Sequence, residues 1–97
     1  MPKGYIIARV RVDDMEMYSK YTAQTPDAAA KFGGKFLVRN GKREAVEGPE
    51  EERRVVVIEY PTFEAARDFY YSDEYQEIVK IRHAASEGEM LLIEGYE

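Results

Sequence analysis

The sequence predicts an α+β domain with a ferredoxin-like antiparallel sheet, and three observations support this prediction. Apolar side chains alternate along Gly4–Val12, which is typical of a half-buried strand. The apolar run Val55–Ile58 predicts a central strand. Helix caps and helical spacing occur in residues 13–32 and again in residues 61–86. The order is therefore β-α-β-β-α-β, the split βαβ topology, and we expect the helices to cover one face of the sheet.

The first helix is predicted to follow Asp13 and Asp14, because a carboxylate at the N-cap accepts hydrogen bonds from free N–H groups of the first turn. Pro26 has no N–H, so we expect it to break or kink the helix, with Thr25 as the cap of a second segment. Gly33-Gly34 ends that segment, because left-handed capping positions favour glycine.

A hairpin is predicted next. Lys35–Arg39 has the composition of a short strand, and Asn40-Gly41 is a strong hairpin signal. The return arm is then Lys42–Val46. The acidic run Glu50–Glu52 is expected in an exposed loop, where water solvates it.

The second half of the chain supplies the remaining elements. A strand is predicted at Arg53–Tyr60, and Pro61-Thr62 then caps a helix from Phe63 to about Tyr71. Ser72 is a second N-cap, and the helix that it begins runs to about Ser86. The last strand is predicted at Met90–Gly95.

Composition restricts the class of protein. The 97 residues show no repeat or linker, so residues 1–97 are predicted to be one domain. A net charge of −5 argues against a nucleic-acid partner. The absence of cysteine excludes disulfides and thiolate metal sites, and we expect no cofactor. No apolar run is long enough for a secretion signal or a membrane span, so we expect a cytoplasmic protein without a membrane partner.

The sheet face away from the helices predicts a homodimer. By alternation this face carries Tyr5, Ile7, Arg9, Leu37, Arg39, Glu59 and Glu94, with some of Val55, Val57, Met90 and Leu92. It is too apolar to meet water and too charged for a dry core. A second sheet packed against it would enclose a partly polar cavity. Alternatively, the charges form cross-strand pairs, with Arg9 near Glu59 and Glu94 because the first strand lies between the third and the last.

Several motifs are similar to those of a known family. They are Gly4-Tyr5, Gly33–Arg39, Glu47-Gly48, Arg54–Pro61, Phe69–Tyr75 and Glu94-Gly95. Together they resemble the short bacterial proteins grouped as domain of unknown function 1330, within the dimeric α+β barrel superfamily. The resemblance implies a homodimer whose two sheets close into a barrel with the helices outside. It implies no single activity, because the superfamily includes cofactor-independent monooxygenases, isomerases, haem-dependent enzymes and ligand-sensing domains.

Arg82 is the most informative candidate for a binding site. It falls within the apolar helical stripe formed by Tyr75, Ile78, Val79 and Ala85. A buried guanidinium needs a carboxylate, backbone carbonyls or a bound anion, and its planar fork suits an acidic small molecule. The structural alternatives are an ion pair with an internal glutamate, or a side chain that extends to water.

His83 and Glu59 are the candidate catalytic residues. His83 is the only histidine and has the pKa range of a general acid or base; the alternative is an exposed position on the helix. Glu59 is expected to face Arg9 and Arg39, which would hold a carboxylate or enolate while Glu59 moves a proton. The alternative for these three residues is a structural ladder of ion pairs.

Tyr5 and Tyr60 are the remaining candidates for ligand binding. Both lie on predicted strands at the mouth of the expected cavity, where their hydroxyls would reach a ligand, but packing is the favoured explanation.

Two functional hypotheses follow from these candidates. The first is a homodimer with a partly polar pocket between sheet and helices that binds a small acidic metabolite. The second is a cofactor-independent isomerase, lyase or monooxygenase that acts on a small carbonyl acid. The sequence leaves catalysis open, because it supports a pocket more strongly than a reaction.

Overall fold

The computed structural model describes residues 2–96, in which four antiparallel strands and three helices follow the predicted order. The strands are β1 (Gly4–Val12), β2 (Lys35–Arg39), β3 (Arg54–Tyr60) and β4 (Ser86–Glu94). The helices are α1 (Met15–Ala30), α2 (Phe63–Tyr70) and α3 (Asp73–Ala85). The strand order β2-β3-β1-β4 confirms the ferredoxin-like α+β fold class. Within the described residues, none of the helices has the length and hydropathy that a membrane span requires.

The core lies between one face of the sheet and the helices. Along β1, Ile6, Ala8 and Val10 are buried while the residues between them are half-buried, as the alternation predicts. The helices contribute four aromatic rings to this core, together with alanines and two larger aliphatic side chains. The rings of Phe69 and Tyr75 pack with their centroids 4.5 Å apart.

Each helix begins at its predicted cap. The side chains of Asp14, Thr62 and Ser72 accept hydrogen bonds from backbone N–H groups in the first turns of α1, α2 and α3. These bonds satisfy donors that have no partner inside the helix.

Helix α1 continues through Pro26, so the predicted break at this residue is wrong. Proline has no N–H, and the carbonyl of Thr22 therefore lacks its usual donor one turn later. Arg39 of β2 replaces that donor, because its Nη2 lies 3.3 Å from the Thr22 carbonyl oxygen. Thr25 does not cap a new segment but donates its hydroxyl to the carbonyl of Tyr21 at 2.6 Å.

The predicted return arm at Lys42–Val46 is also wrong, because β2 pairs directly with β3 and residues 40–53 form an irregular connection. The favoured two-residue turn needs positive φ at both central residues, and among residues 40 and 41 only Asn40 has it, at 58°. Arg43 stabilises the connection instead. Its guanidinium donates to the carbonyls of Gly41, Glu51 and Arg53 at 2.8 to 2.9 Å.

A β-bulge in β2 decides which face of the sheet Arg39 occupies. Phe36 pairs with Ile58, but the register then shifts, so that Arg39 pairs with Val56. Leu37 is the extra residue, and the side chains after it exchange faces. Arg39 consequently lies on the helix side, and its predicted place on the opposite face is wrong.

Strand β4 begins ahead of the predicted Met90, and its register gives Arg9 a different partner. Arg9 lies opposite Glu89, while Glu94 lies opposite Gly4 at the other end of β1. Glu59 lies opposite Tyr5. The expected pairing of Arg9 with Glu59 and Glu94 is therefore wrong.

We predict that Gly4→Ala destabilises the protein by about 1–3 kcal/mol, because a small-to-large change in a packed site forces the backbone to move. A Cβ at Gly4 would lie 2.3 Å from the carbonyl oxygen of Thr62. Gly41→Ala is the matched control, since a Cβ there meets no atom within 4 Å. Urea denaturation measures both changes, and equal midpoints for the two variants would contradict the close packing of β1 against the start of α2.

Candidate functional site

A cavity of about 30 Å³ lies between the helix side of the sheet and helices α1 and α3. Three arginines from different elements line it, namely Arg39 of β2, Arg54 of β3 and Arg82 of α3. We term this site the arginine cavity. Its other lining residues are Ala8, Val10, Phe36, Val56, Ile58 and Met90 from the sheet, and Tyr18, Tyr21, Thr22 and Thr25 from α1.

Each of the three guanidiniums lies over the face of an aromatic ring that lines the same cavity. The distances from guanidinium carbon to ring centroid are 5.1 Å for Arg39 and Phe36, 5.7 Å for Arg54 and Tyr18, and 6.0 Å for Arg82 and Tyr21. These are cation–π distances. A ring attracts the positive charge of a guanidinium through its π electrons. It does not pair with the guanidinium as a carboxylate would, in a fork of two parallel hydrogen bonds.

Within residues 2–96, none of these three arginines forms an ion pair with a carboxylate. The Nε atoms of Arg54 and Arg82 are buried and have no hydrogen-bond partner among the described residues. Arg82 as a whole is only 5% exposed. A dry guanidinium with unused donors is costly, so the cavity concentrates positive charge that an anion would stabilise.

The tyrosines of the cavity do not neutralise this charge. The hydroxyls of Tyr21 and Tyr75 lie 2.6 Å apart and connect α1 to α3. Burial raises the pKa of Tyr18, Tyr21 and Tyr75 above the ordinary value of a phenol. The three phenols are therefore uncharged at neutral pH and act only as hydrogen-bonding groups.

Arg82 remains protonated in this environment. Burial lowers the pKa of its guanidinium, but the oxygens of Tyr75 and Tyr21 act in the opposite direction, and the pKa stays above its ordinary value. His83 adds a further contact, because its Nε2 lies 3.5 Å from Nη2 of Arg82. The His83 side chain itself is exposed on α3.

The residues predicted as one site are divided between the two faces of the sheet. Arg39 and Arg82 meet in the arginine cavity. Tyr5, Arg9 and Glu59 lie on the opposite face, because they have the other parity along β1 and β3. The structure thus brings the two predicted arginines together and separates them from Glu59.

Tyr60 lies on the helix side but outside the cavity lining. It is 1% exposed, and its hydroxyl has no hydrogen-bond partner among residues 2–96. Its ring packs on that of Phe69 with centroids 5.5 Å apart. Tyr5, by contrast, reaches Glu59 across the other face, with its hydroxyl 3.4 Å from Oε2.

The charges of the opposite face form ion pairs with one another. Glu89 accepts from Arg53 at 2.7 Å and lies 3.8 Å from Arg9. Arg53 also binds Glu51 at 2.8 Å, and this hydrogen bonding lowers the pKa of Glu51 to about 2. A structural set of ion pairs is therefore present, with Glu89 and Glu51 in place of the expected Glu59 and Glu94. Among residues 2–96, no group of acidic or histidine side chains is arranged to hold a metal ion.

Arg54 is not among the site residues predicted from the sequence, although the alternation along β3 indicates its position. Alternation from the buried Ile58 through Val56 leads directly to Arg54 on the helix side of β3. Tyr18 and Tyr21 have the helical spacing of packing residues, and both are buried. Their contacts with the guanidiniums depend on how the strands and helices pack together, which helical spacing alone does not predict.

Residues 3–96 match the family described as Domain of unknown function (DUF1330). Among solved structures, one similar protein is RPA0582 of Rhodopseudomonas palustris, whose function is unknown. It is 21% identical to this chain with a TM-score of 0.78, and the match covers 99% of this chain and 84% of RPA0582. SnoaB, a cofactor-independent oxygenase from Streptomyces nogalater, is 16% identical with a TM-score of 0.71, and the match covers 100% of this chain and 96% of SnoaB. HapK from Hahella chejuensis is 18% identical with a TM-score of 0.62, covering 97% of each chain. No curated protein matches. At these identities the likeness concerns the fold alone.

We predict that Tyr60→Phe leaves the free energy of unfolding unchanged or raises it by about 1 kcal/mol, because it removes a buried hydroxyl without a partner. Tyr75→Phe is the matched comparison, since it deletes the partner of the Tyr21 hydroxyl. We expect it to cost about 1 kcal/mol or more. Chemical denaturation measures both, and a large loss for Tyr60→Phe would mean that its hydroxyl has a bound partner.

Proposed function

Since the chain belongs to the DUF1330 family, a domain of unknown function, we propose its function from the site: it is a homodimer that binds a small acidic metabolite in the arginine cavity. One observation carries this proposal. Three guanidiniums line a small cavity between sheet and helices, and within residues 2–96 they have no carboxylate partner.

A carboxylate fits the donors that the cavity leaves unused. Guanidinium and carboxylate bind edge to edge through parallel hydrogen bonds in one plane. The guanidinium carbons of Arg54 and Arg82 lie 5.7 and 6.0 Å from the ring centroids of Tyr18 and Tyr21, and these contacts leave both Nε atoms without a hydrogen-bond partner among residues 2–96. A bound carboxylate would supply the acceptors that Nε of Arg54 and of Arg82 lack, and the cost of burying both charges favours its binding.

The alternative function is a cofactor-independent isomerase, lyase or monooxygenase that acts on a small carbonyl acid. SnoaB is a cofactor-independent oxygenase with the same fold, but the likeness extends no further than the fold. Proton transfer requires a general acid or base at the bound ligand. Glu59 is on the wrong face for this role, and His83 contacts Arg82 from the exposed side of α3. The observations therefore favour binding over catalysis.

The homodimer is proposed from the sheet face opposite the helices, which we term the open face. Its apolar members include Ile7, Val57, Leu91 and Ile93, which are neighbours in the register of β1, β3 and β4. Leu91 is 51% exposed and Ile93 is 44% exposed. Contiguous apolar surface of this kind marks an interaction site. A second copy of the sheet would cover it and would leave the paired charges around Arg53 at one end.

We predict that Arg54→Met and Arg82→Met each weaken the binding of small carboxylates by about tenfold or more, because each removes a charge-assisted hydrogen bond. Neither variant should lower the melting temperature of the free protein much, since methionine has no buried charge to desolvate. Isothermal titration calorimetry with benzoate, hexanoate and succinate measures the affinities.

Arg67→Met is the matched control for these variants. Arg67 lies over the ring of Tyr71 at 5.2 Å, outside the arginine cavity, so its loss should leave carboxylate affinity unchanged. The proposal fails if no carboxylate binds the wild-type protein, or if all three variants bind equally well.

We predict that Leu91→Lys shifts the protein from dimer to monomer, because a charge at the centre of a buried apolar contact costs about 2 kcal/mol or more. Met15→Lys is the control, since Met15 is a 59% exposed residue on α1 and away from the open face. Sedimentation velocity at micromolar concentration measures the assembly. A monomeric wild-type protein would refute the dimer without affecting the acid-binding proposal.

A further inference from the structure

We infer that the acid bound in the arginine cavity is a monocarboxylate with an apolar body, and that it enters when Arg39 leaves the carbonyl of Thr22. This inference rests on the proposed function and makes it more specific. It depends on three properties of the cavity, namely the composition of its floor, the position of its unused donors and its size.

The floor of the cavity is apolar. It is formed by the apolar side chains that the sheet contributes to the lining, namely Ala8, Val10, Phe36, Val56, Ile58 and Met90. A ligand that reaches the arginines lies against this floor. A second carboxylate or a sugar hydroxyl would lose its water there without gaining a hydrogen bond, which is costly. An alkyl chain or a phenyl ring would instead gain from contact with these side chains.

The unused donors belong to two guanidiniums that lie near each other in the cavity. Arg54 and Arg82 each have a buried Nε without a partner among residues 2–96, and their guanidiniums lie over the adjacent rings of Tyr18 and Tyr21, whose centroids are 5.4 Å apart. Arg39 already donates to the Thr22 carbonyl. The two free and buried donors therefore suit a single carboxylate group beside Tyr18, and not two separate anions.

The cavity must open before such a ligand enters. Its volume of about 30 Å³ is far below the roughly 300–1,000 Å³ of pockets that hold small molecules. Arg39 is the exposed member of the three arginines, and a single hydrogen bond of 3.3 Å holds it to helix α1. Water replaces Arg39 at the Thr22 carbonyl when the side chain swings outward, so this movement costs less than moving Arg54 or Arg82.

The first test compares four probes on the full chain by titration calorimetry, with benzoate and hexanoate against succinate and inorganic phosphate. We expect saturable binding of benzoate or hexanoate, with succinate and phosphate weaker by about tenfold or more. Tighter binding of succinate or phosphate that is lost in Arg82→Met would overturn this inference and leave the proposed acid site intact. Binding by none of the four would overturn both.

A second test uses adjacent residues of β3 that face opposite sides. Val56→Thr places a hydroxyl on the cavity floor with little change of shape, and we expect about fivefold weaker binding of hexanoate with no loss for succinate. Val57→Thr is the matched control on the open face, and it should change neither affinity. Equal effects of the two variants would refute contact between the floor and the ligand.

The rates at which a ligand associates and dissociates test the role of Arg39. Arg39→Met removes the hydrogen bond to Thr22, and we expect hexanoate to associate and dissociate about tenfold faster, as measured by stopped-flow, with a smaller change in affinity than Arg82→Met produces. Unchanged rates in Arg39→Met would show that the ligand enters by another route and would overturn this part of the inference.

Discussion

Alternation along β1 is the constraint on which the rest of the structure depends. Because Ile6, Ala8 and Val10 face the helices, every strand in register with β1 must divide its side chains in the same way. That division places Arg54 of β3 on the helix side and Glu59 on the open face. The arginine cavity and the apolar open face are thus two results of one pairing pattern, and neither requires a special backbone conformation in the central strands.

The helix side is unusual because aromatic rings, and not carboxylates, surround its cations. A carboxylate partner would neutralise each guanidinium and occupy its donors, whereas a ring does neither. The phenols of Tyr18, Tyr21 and Tyr75 keep their protons because burial raises their pKa. These phenols therefore place no negative charge beside the guanidiniums at neutral pH.

Local periodicity was enough to predict the fold and the burial of Arg82, because both depend on residues within a few turns or on adjacent positions of a strand. Pairing over longer distances was not predictable in this way. Arg9 pairs with Glu89, which belongs to β4 because that strand begins at Ser86, ahead of the predicted Met90. Arg39, thirteen positions beyond Pro26 along the chain, donates to the Thr22 carbonyl that the proline leaves without its usual donor. Contacts of this kind leave no periodic signal in the sequence.

The bulge at Leu37 determines how the loss of one residue from β2 during evolution would affect the cavity. Arg39 reaches the cavity only because one extra residue precedes it on β2. Deletion of that residue would restore regular pairing and transfer the guanidinium to the other side of the sheet, although every remaining amino acid is unchanged. A single-codon deletion in this edge strand therefore alters the chemistry of the cavity more than most substitutions inside it.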